Sequence, residues 1–341
     1  MDGRAAKRLA ISSGRDADTI HKALEASVRE TGRTYFERNE ANPLEEDLII
    51  VDEASMLDIS LFYHLLCALK DGARLILVGD IDQLPPVGAG EPLKDLMSWG
   101  YVPIVRLKRI FRQEEGSGIV ENAALIRKGE MCVPDEAGEF RIVYAADDED
   151  AYRIVMDLCR ELNYGNEENK MLLQVLSPMY RGVCGVDHLN ESLQEMIHGE
   201  KVPDGMKFFP GDKVMQTRND YEKGIYNGDV GTVWTATPQK VFVRYFDKEV
   251  VYEGEERFDL RLAYAVTVHK SQGSEYETVI FILRPSQHNM LQRNLLYTGV
   301  TRARKNTILV TAPDALRRAL AIQHTGNRYS LFLPFLNHEA L

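Results

Sequence analysis

Two adjacent carboxylic acids follow a short apolar run in LIIVDEASML, residues 48–57. The run favours a buried strand, and acids at its end would lie at the carboxyl edge of a sheet, where open α/β folds bind ligands. There Asp52 is suited to hold Mg²⁺ through water, and Glu53 to accept a proton from an attacking water molecule. A simpler interpretation stays open, in which Asp52 and Ser55 only cap the next helix.

A second polar turn follows the next predicted strand, in LVGDIDQLPPVGAG at 77–90. It should lie beside Asp52 at the same sheet edge. The amide of Gln83 can bond both a water molecule and a terminal phosphate, and so couple nucleotide state to the loop. Taken alone, a tight turn stiffened by Pro85 and Pro86, with Gln83 in solvent, is the simpler interpretation.

Three later segments concentrate cations and hydrogen-bonding groups. LKRIFRQ at 107–113 is strongly basic, and an arginine from it could reach a phosphate bound on another domain; a solvated basic helix face is the alternative. YAVTVHKSQGSEYETVIF at 264–281 places a polar, glycine-containing loop between two strand-like runs, and YTGVTRAR at 297–304 ends in two arginines. The side chains that offer phosphate or sugar contacts are Arg106, Lys108, Arg109, Arg112, Thr267, His269, Lys270, Ser271, Gln272, Glu275, Arg302 and Arg304.

The composition fits a globular protein of two or three domains, with 341 residues, 44% apolar and 27% charged. There is no run of about 18 apolar residues and no apolar core of a secretory signal, so we expect neither a membrane span nor export. The four cysteines lack metal-binding spacing and predict reduced thiols in a cytoplasmic protein. A net charge of −11 argues only weakly against nucleic acid, because phosphate binding needs a local basic track rather than a basic whole.

The first third of the chain predicts part of an α/β domain. Residues 1–30 favour a helix that is broken around SSGRDAD, with Thr19 as the cap of its second half. LIIV at 48–51, a helical pattern and RLILVGD at 74–80 then form a strand–helix–strand unit. Its strands are apolar throughout, as in a sheet buried on both faces.

The rest of the chain predicts a second α/β domain with an insertion. LLQVLSP at 172–178, TVIFILRP at 278–285 and NTILVTAP at 306–313 favour buried strands. Residues 201–261 instead alternate apolar and polar side chains between turn signals. This pattern predicts a small antiparallel β module inserted between the strands of the second domain.

These segments, in this order, resemble the motifs of a superfamily 1 DNA helicase of the RecD type. GRAAKRL with TIHKALE resembles motif Ia and its helix, VDEAS motif II, GDIDQLPPVGAGEPLKDL motif III and FRQ motif IV. VTVHKSQGSEY is similar to motif V, YTGVTRAR to motif VI, and NGDVGTV to part of the family's SH3-like domain 2B. The resemblance covers nearly the whole chain, including LSPMYRGVCGVDHLN. The LPPVGAG form of motif III resembles the stand-alone and relaxase-fused branch more than the RecBCD subunit.

The resemblance implies an α/β fold with two RecA-like domains of the P-loop type, the first incomplete, and an SH3-like insertion in the second. The expected limits are 1–105 for domain 1A, 106–200 and 262–341 for domain 2A, and 201–261 for domain 2B. In the family, ATP binds between the two α/β domains, and single-stranded DNA runs across both, gripped mainly by its backbone. Whether the module clamps DNA or docks a partner stays open.

The resemblance also implies roles for single residues, with ATP and Mg²⁺ as cofactors. Asp52 is the magnesium-associated acid, Glu53 the catalytic base, and Gln83 the sensor of the γ-phosphate. The other implied roles are arginine fingers for Arg112 and Arg302, nucleotide contacts for Gly273 and Glu275, support of Arg302 by Tyr297, and contacts to single-stranded DNA for Gly3, Arg4, Thr267, His269 and Lys270.

One family motif is absent from the sequence, the phosphate loop GxxxxGK[ST]. None of the 25 glycines is followed by lysine. The chain begins within motif Ia, with Asp2 where the family usually has threonine, so Met1 and Asp2 look like an artificial or alternative start.

Two interpretations therefore stay open. In the preferred one, the chain is the C-terminal portion of an ATP-dependent 5′→3′ DNA helicase of DNA repair or recombination, with little ATPase activity of its own. It would be a cytoplasmic monomer whose partners are single-stranded DNA and repair or recombination proteins. In the other, it is a free-standing remnant that binds single-stranded DNA or a partner without hydrolysing ATP. A nuclease finds no support, because the acids do not form a two-metal cluster.

Overall fold

The protein divides into two compact units, Met1–Lys108 with Gly326–Leu341, and Arg109–Thr325. No helix in the described ranges is both long and apolar enough to cross a membrane. The computed structural model of the protein describes residues 3–28, 34–107, 116–203, 205–220, 222–246, 248–323 and 332–337.

The first unit is organised around two parallel strands, joined by a helix as the sequence predicts. The helix begins after Asp58, whose carboxylate accepts the N–H of Leu61 at 2.8 Å. Asp52 and Ser55 are therefore not the caps of this helix. The elements are α1 (Gly3–Ser13), α2 (Ile20–Ala23), β1 (Ala26–Val28), β2 (Thr34–Phe36), β3 (Leu48–Val51), α3 (Ile59–Cys67), β4 (Arg74–Leu77) and α4 (Pro92–Trp99).

The N-terminal segment follows the predicted broken helix only as far as Ala23. Thr19 is the cap of the second helix, as predicted, and its hydroxyl accepts the N–H of Lys22 at 3.2 Å. Glu25 then adopts a left-handed conformation with φ of 53°, which a continuing helix does not allow. The chain therefore turns and forms β1, which pairs antiparallel with β2.

One face of the β3–β4 pair is apolar and exposed. Its side chains Leu48, Ile50, Ile76 and Val78 are each between 43% and 51% exposed. The other face packs on the core of the unit, where Val51 is buried. Parallel strands normally have both faces covered, so this sheet presents an uncovered apolar face.

The second unit contains a parallel sheet in the order β12–β6–β13–β14–β5, with an antiparallel module in the order β10–β9–β8–β7–β11 inserted in the chain before β12. The three predicted buried strands, the strand-like run before the polar loop (β12) and the predicted β module are confirmed, whereas β5 was not predicted. The elements are α5 (Gly118–Lys128), β5 (Phe140–Tyr144), α6 (Asp148–Glu161), α7 (Glu167–Leu172), β6 (Leu173–Ser177), α8 (Val186–His198), β7 (Lys213–Gln216), β8 (Val230–Ala236), β9 (Lys240–Arg244), β10 (Glu249–Glu253), β11 (Leu260–Leu262), β12 (Ala265–Thr267), β13 (Tyr276–Leu283), α9 (Arg293–Val300), β14 (Ala303–Thr311) and α10 (Pro313–Ala321).

A buried carboxylate joins the module to the rest of the second unit. Asp212 precedes β7 and has no solvent exposure. Its Oδ2 accepts the backbone N–H of Phe209 at 2.7 Å and the side-chain amide of Gln194 on α8. Its Oδ1 accepts the hydroxyl of Tyr264 at 2.9 Å and lies 2.9 Å from Nε2 of His198.

The next residue, Lys213, is also buried, with 1% exposure. Its ammonium donates to the carbonyl of Leu173 and to Oε1 of Gln174, both at 3.0 Å. It also lies 3.3 Å from the hydroxyl of Tyr164, which itself donates to the carbonyl of Tyr264. The first strand of the module is thereby tied to β6 and to the chain that enters β12.

The C-terminal helix α11 (Phe332–Leu336) belongs to the first unit, which differs from the expected assignment of 262–341 to domain 2A. The rings of Phe332 and Phe62 meet edge to face with centroids 5.8 Å apart. The helix also packs against α4. An apolar helix is stabilised wherever it finds an apolar partner surface, and here that surface is supplied by α3 and α4.

We predict that Asp212→Asn destabilises the second unit by about 2–4 kcal/mol, because an amide N–H₂ would face donors that now bond a buried carboxylate oxygen. The measurement is urea unfolding followed by far-UV circular dichroism. The control is Asp157→Asn, which removes an exposed pair with Arg160 and should change the free energy of unfolding by less than about 0.5 kcal/mol. Equal unfolding midpoints for Asp212→Asn and the wild type would contradict the assigned role.

Candidate functional site

The chain turns sharply at the end of β3, at the two acids. Glu53 has φ of 52° and ψ of 38°, the left-handed conformation, and a 3₁₀ turn Ala54–Met56 follows. Oδ1 of Asp52 accepts the backbone N–H of Glu53 at 2.9 Å. A non-glycine residue held in this conformation costs about 1–3 kcal/mol and persists only where the surroundings impose it, which is common at functional sites.

A glycine allows the turn after β3 and the turn after β4 to approach closely. A Cβ on Gly79 would lie 2.8 Å from the backbone nitrogen of Ser55 and 2.9 Å from Cδ2 of Leu93. The N–H of Ala54 donates to the carbonyl of Val78 at 2.8 Å and extends the pairing of the strands. The two polar segments therefore meet at one sheet edge.

The second turn positions Gln83. Oδ1 of Asp80 accepts the N–H of Asp82 at 3.0 Å, and its carbonyl accepts the N–H of Gln83 at 3.2 Å. Within the described part of the chain, Oε1 of Gln83 and the hydroxyl of Ser55 are buried without a hydrogen-bond partner. Both residues line a small cavity of about 20 Å³. A buried polar atom left unpaired costs about 1–3 kcal/mol, which a bound polar group would recover.

These residues fit the γ-phosphate side of a magnesium–nucleotide site. Mg²⁺ usually keeps several waters and takes one or two carboxylates plus phosphate oxygens, so Asp52 alone is an adequate protein ligand. Among the described residues, no three acid, histidine or cysteine side chains converge on a metal position. Glu53 and Gln83 supply an acceptor and an amide beside it, but the backbone cradle for the phosphates is not in the sequence.

In the second unit, the segment after β12 forms a compact turn in which several polar groups point inward. Thr267 is 5% exposed, and its hydroxyl accepts the N–H of Lys270 at 3.3 Å. Ser271 is fully buried and donates to the carbonyl of Val268 at 2.7 Å, so it does not offer a phosphate contact as the sequence suggested. The ammonium of Lys270 donates to Oδ1 of Asn227 in the module at 2.7 Å.

His269 lies in the same turn and is partly buried. Burial lowers the pKa of its imidazole below the usual value. The ring is therefore neutral at pH 7, and a contact with a phosphate would be a hydrogen bond without added charge. Gly273, with φ of 71°, ends the turn in the left-handed region that favours glycine.

Arg302 is 3% exposed and bonded to the neighbouring backbone. Its Nε donates to the carbonyl of Thr298 at 3.1 Å, and its Nη1 donates to the carbonyl of Ser274 at 3.3 Å. The carbonyl of Tyr297 accepts the hydroxyl of Thr301 at 2.9 Å, and that hydroxyl lies 3.5 Å from Nη2 of Arg302. The hydroxyl of Thr301 thus contacts both the backbone of Tyr297 and the guanidinium of Arg302.

The other predicted site residues fall in three groups. Glu275 is mostly buried and lies 3.9 Å from the guanidinium of Arg304, which is 58% exposed. Gly3 and Arg4 form the start of α1, and the side chain of Arg4 lies outside the described part. Arg112 lies outside the described residues, together with Lys108 and Arg109.

The structure thus brings together Asp52, Glu53 and Gln83 at one sheet edge in the first unit. It separately places the Thr267–Gly273 turn and Arg302 in the second unit. The sequence predicted only a capping role for Ser55 and no role for Asn227. The position of Ser55 directly after the two acids in VDEAS could have indicated that it lies at the site. Nothing in the neighbouring residues indicates that Asn227 contacts Lys270.

Three family models match the chain in this order: an AAA domain over 1–141, an ATP-dependent RecD-like DNA helicase SH3 domain over 189–245, and a UvrD-like helicase C-terminal domain over 262–310. Among solved structures, the chain is similar to a Pif1 helicase from Bacteroides in complex with ADP-AlF3 and single-stranded DNA. The alignment covers 99% of this chain and 85% of the Pif1 chain. The TM-score is 0.58 at 20% identity, which shows a shared fold.

Curated relatives are more similar in sequence. The chain is 37% identical to the ATP-dependent RecD2 DNA helicase of Deinococcus radiodurans, over 96% of this chain and 44% of that protein. It is 32% identical to the RecBCD enzyme subunit RecD of Mycolicibacterium smegmatis, over 94% of this chain and 60% of that protein. The chain therefore spans about half the length of these relatives. With its AAA, SH3 and UvrD-like regions in this order, it belongs to the RecD-like superfamily 1 helicases.

Proposed function

We propose that the chain is part of an ATP-dependent DNA helicase that moves 5′→3′ along single-stranded DNA in repair or recombination, as a cytoplasmic monomer. The observation that carries this proposal is the strained turn at Asp52 and Glu53, set beside the unpaired Oε1 of Gln83. A turn that only joined a strand to a helix would not need two acids in this geometry. The names of the relatives point to the same activity.

In this proposal, bound ATP and Mg²⁺ supply the phosphoanhydride bond and neutralise charge on the phosphates. Asp52 would hold Mg²⁺, and Glu53 would accept the proton of the attacking water. Oε1 of Gln83 accepts a hydrogen bond from that water, while its amide N–H₂ is free to donate to a phosphate oxygen. The second group of nucleotide contacts is Arg112, Gly273, Glu275 and Arg302, with Tyr297 in support of Arg302.

The phosphate loop would come from additional chain. Two observations support this: the uncovered apolar face of β3 and β4, and relatives that are about twice as long. A further strand and helix would bury that face, as parallel sheets require. We also propose that Thr267, His269 and Lys270, with Gly3 and Arg4, contact DNA, and that the module clamps it. The bond between Lys270 and Asn227 supports the clamp, because it joins the module to this turn.

The alternative is a remnant that binds single-stranded DNA or a partner without turning over ATP. The absence of any Gly-Lys pair favours it, since Glu53 then has no firmly held substrate. The two candidates differ in what further chain would contribute, and ATP turnover therefore separates them.

We predict that the 341-residue chain shows almost no ATP turnover, with or without oligo(dT), because the phosphates lack their backbone cradle. A protein extended by the upstream in-frame codons should show DNA-stimulated turnover, and Glu53→Gln in it should reduce kcat about 10²- to 10⁴-fold, the usual contribution of a general base. Phosphate release measures both. No turnover by the extended protein would argue against the helicase proposal. Strong DNA-stimulated turnover by the 341-residue chain would instead rule out the non-hydrolysing remnant and contradict the need for a further phosphate loop.

We predict that Arg302→Ala in the extended protein lowers ATP turnover about 10³-fold, the scale of an arginine finger. The control is Lys305→Ala, a change on β14, the strand that follows Arg302, at a side chain that is 64% exposed; it should leave kcat within about threefold. Because Arg302 is buried, Arg302→Lys and the melting temperature are measured in parallel. Turnover that falls only in proportion to the folded fraction would assign Arg302 a structural role.

A further inference from the structure

The loop that follows β6, residues 178–185, carries exposed side chains to the sheet edge where the Thr267 turn begins. Thr267, the last residue of β12, pairs in register with Ser177, the last residue of β6. Both chains therefore leave the sheet side by side. In the loop, Tyr180 is 41% exposed and Met179 is 36% exposed.

The loop is rigid in its backbone. The hydroxyl of Ser177 donates to the carbonyl of Cys184 at 2.6 Å, and the N–H of Asp187 donates to the carbonyl of Tyr180 at 3.0 Å. A Cβ on Gly185 would lie 2.5 Å from backbone atoms of Tyr180 and Arg181, so only glycine permits this approach. The ring of Tyr180 is therefore displayed from a fixed base rather than left on a mobile segment.

Two arginines lie next to the ring. Arg181 follows it in the loop and is exposed. Arg261, from β11 of the module, places its guanidinium 5.9 Å from the ring centroid and is 61% exposed. One acid is also present, since Oδ1 of Asp187 lies 3.9 Å from Nη1 of Arg261. The pair is too long and too exposed to neutralise the patch, which stays net positive.

We propose that Tyr180 is a stacking platform for one base of single-stranded nucleic acid, with Arg181 and Arg261 against the adjacent phosphates. An exposed aromatic ring flanked by arginines is the combination that binds single strands without reading their sequence. This inference rests on the proposed function and adds a base contact to a track that otherwise consists of groups suited to the backbone. The competing role of Tyr180 is to support Arg261 through the cation–π contact alone.

The test compares two fluorescent oligomers by anisotropy, oligo(dT) and an abasic oligomer of the same length. Tyr180→Leu should weaken binding to oligo(dT) about tenfold, which is within the range for one stacked base. The affinity for the abasic oligomer should not change. Tyr180→Phe should stay within about twofold of the wild type for both. The control is Tyr144→Leu, because Tyr144 is 53% exposed at the end of β5, the strand at the far edge of the same sheet.

Three other outcomes would contradict this proposal. Equal weakening of both oligomers by Tyr180→Leu would show that the ring only supports Arg261, and would overturn the platform. Unchanged oligo(dT) binding would overturn it too, while the proposed function stands. No binding of oligo(dT) by the wild-type chain would refute single-strand binding itself, and with it this inference.

Discussion

The second unit depends on two neighbouring charges that have been removed from water, Asp212 and Lys213. Transfer of such ions to the interior costs several kcal/mol each, and that cost is offset only when nearly every donor and acceptor is used. Here the partners come from α8, from β6 and from the chain that enters β12. These bonds therefore fix the module and the start of β12 together. Thr267 ends β12 and His269 follows it in the chain. The position of the candidate DNA-contacting turn is therefore set by Asp212 and Lys213 as well.

The sequence predicted those elements whose burial shows in their own residues. The strands β6, β13 and β14 lie at the centre of a parallel sheet and are apolar on both faces, so a continuous apolar run identifies them. The strand β5 lies at the sheet edge, carries Arg141 and ends in the exposed Tyr144. Its residues therefore do not form a continuous apolar run, and the sequence does not identify it as a strand. The strand β12 has three residues, and its pairing depends on a distant partner, β6. Local patterns cannot report such a partner.

The same limit applies to the site. The acids were predicted from their place after an apolar run, which is a local signal. The left-handed backbone of Glu53 and the cavity that joins Ser55 to Gln83 result from the close approach of two turns at Gly79. The buried guanidinium of Arg302 is held by hydrogen bonds to backbone carbonyls of α9 and of the turn after β12. Each of these depends on contacts between segments that the sequence does not place next to one another.

The module leaves and re-enters the second unit through two strands that lie side by side. Leu260 pairs with Gln216 and Leu262 with Val214, so β7 and β11 form an antiparallel base. The chain between them returns to its starting point whatever its length, and the spacing of β6 and β12 is unaffected by what happens at the tip. Hairpins at the tip can therefore lengthen, shorten or exchange in evolution without disturbing the parallel sheet. The base cannot vary in this way, because the buried charges before and within β7 must keep their partners.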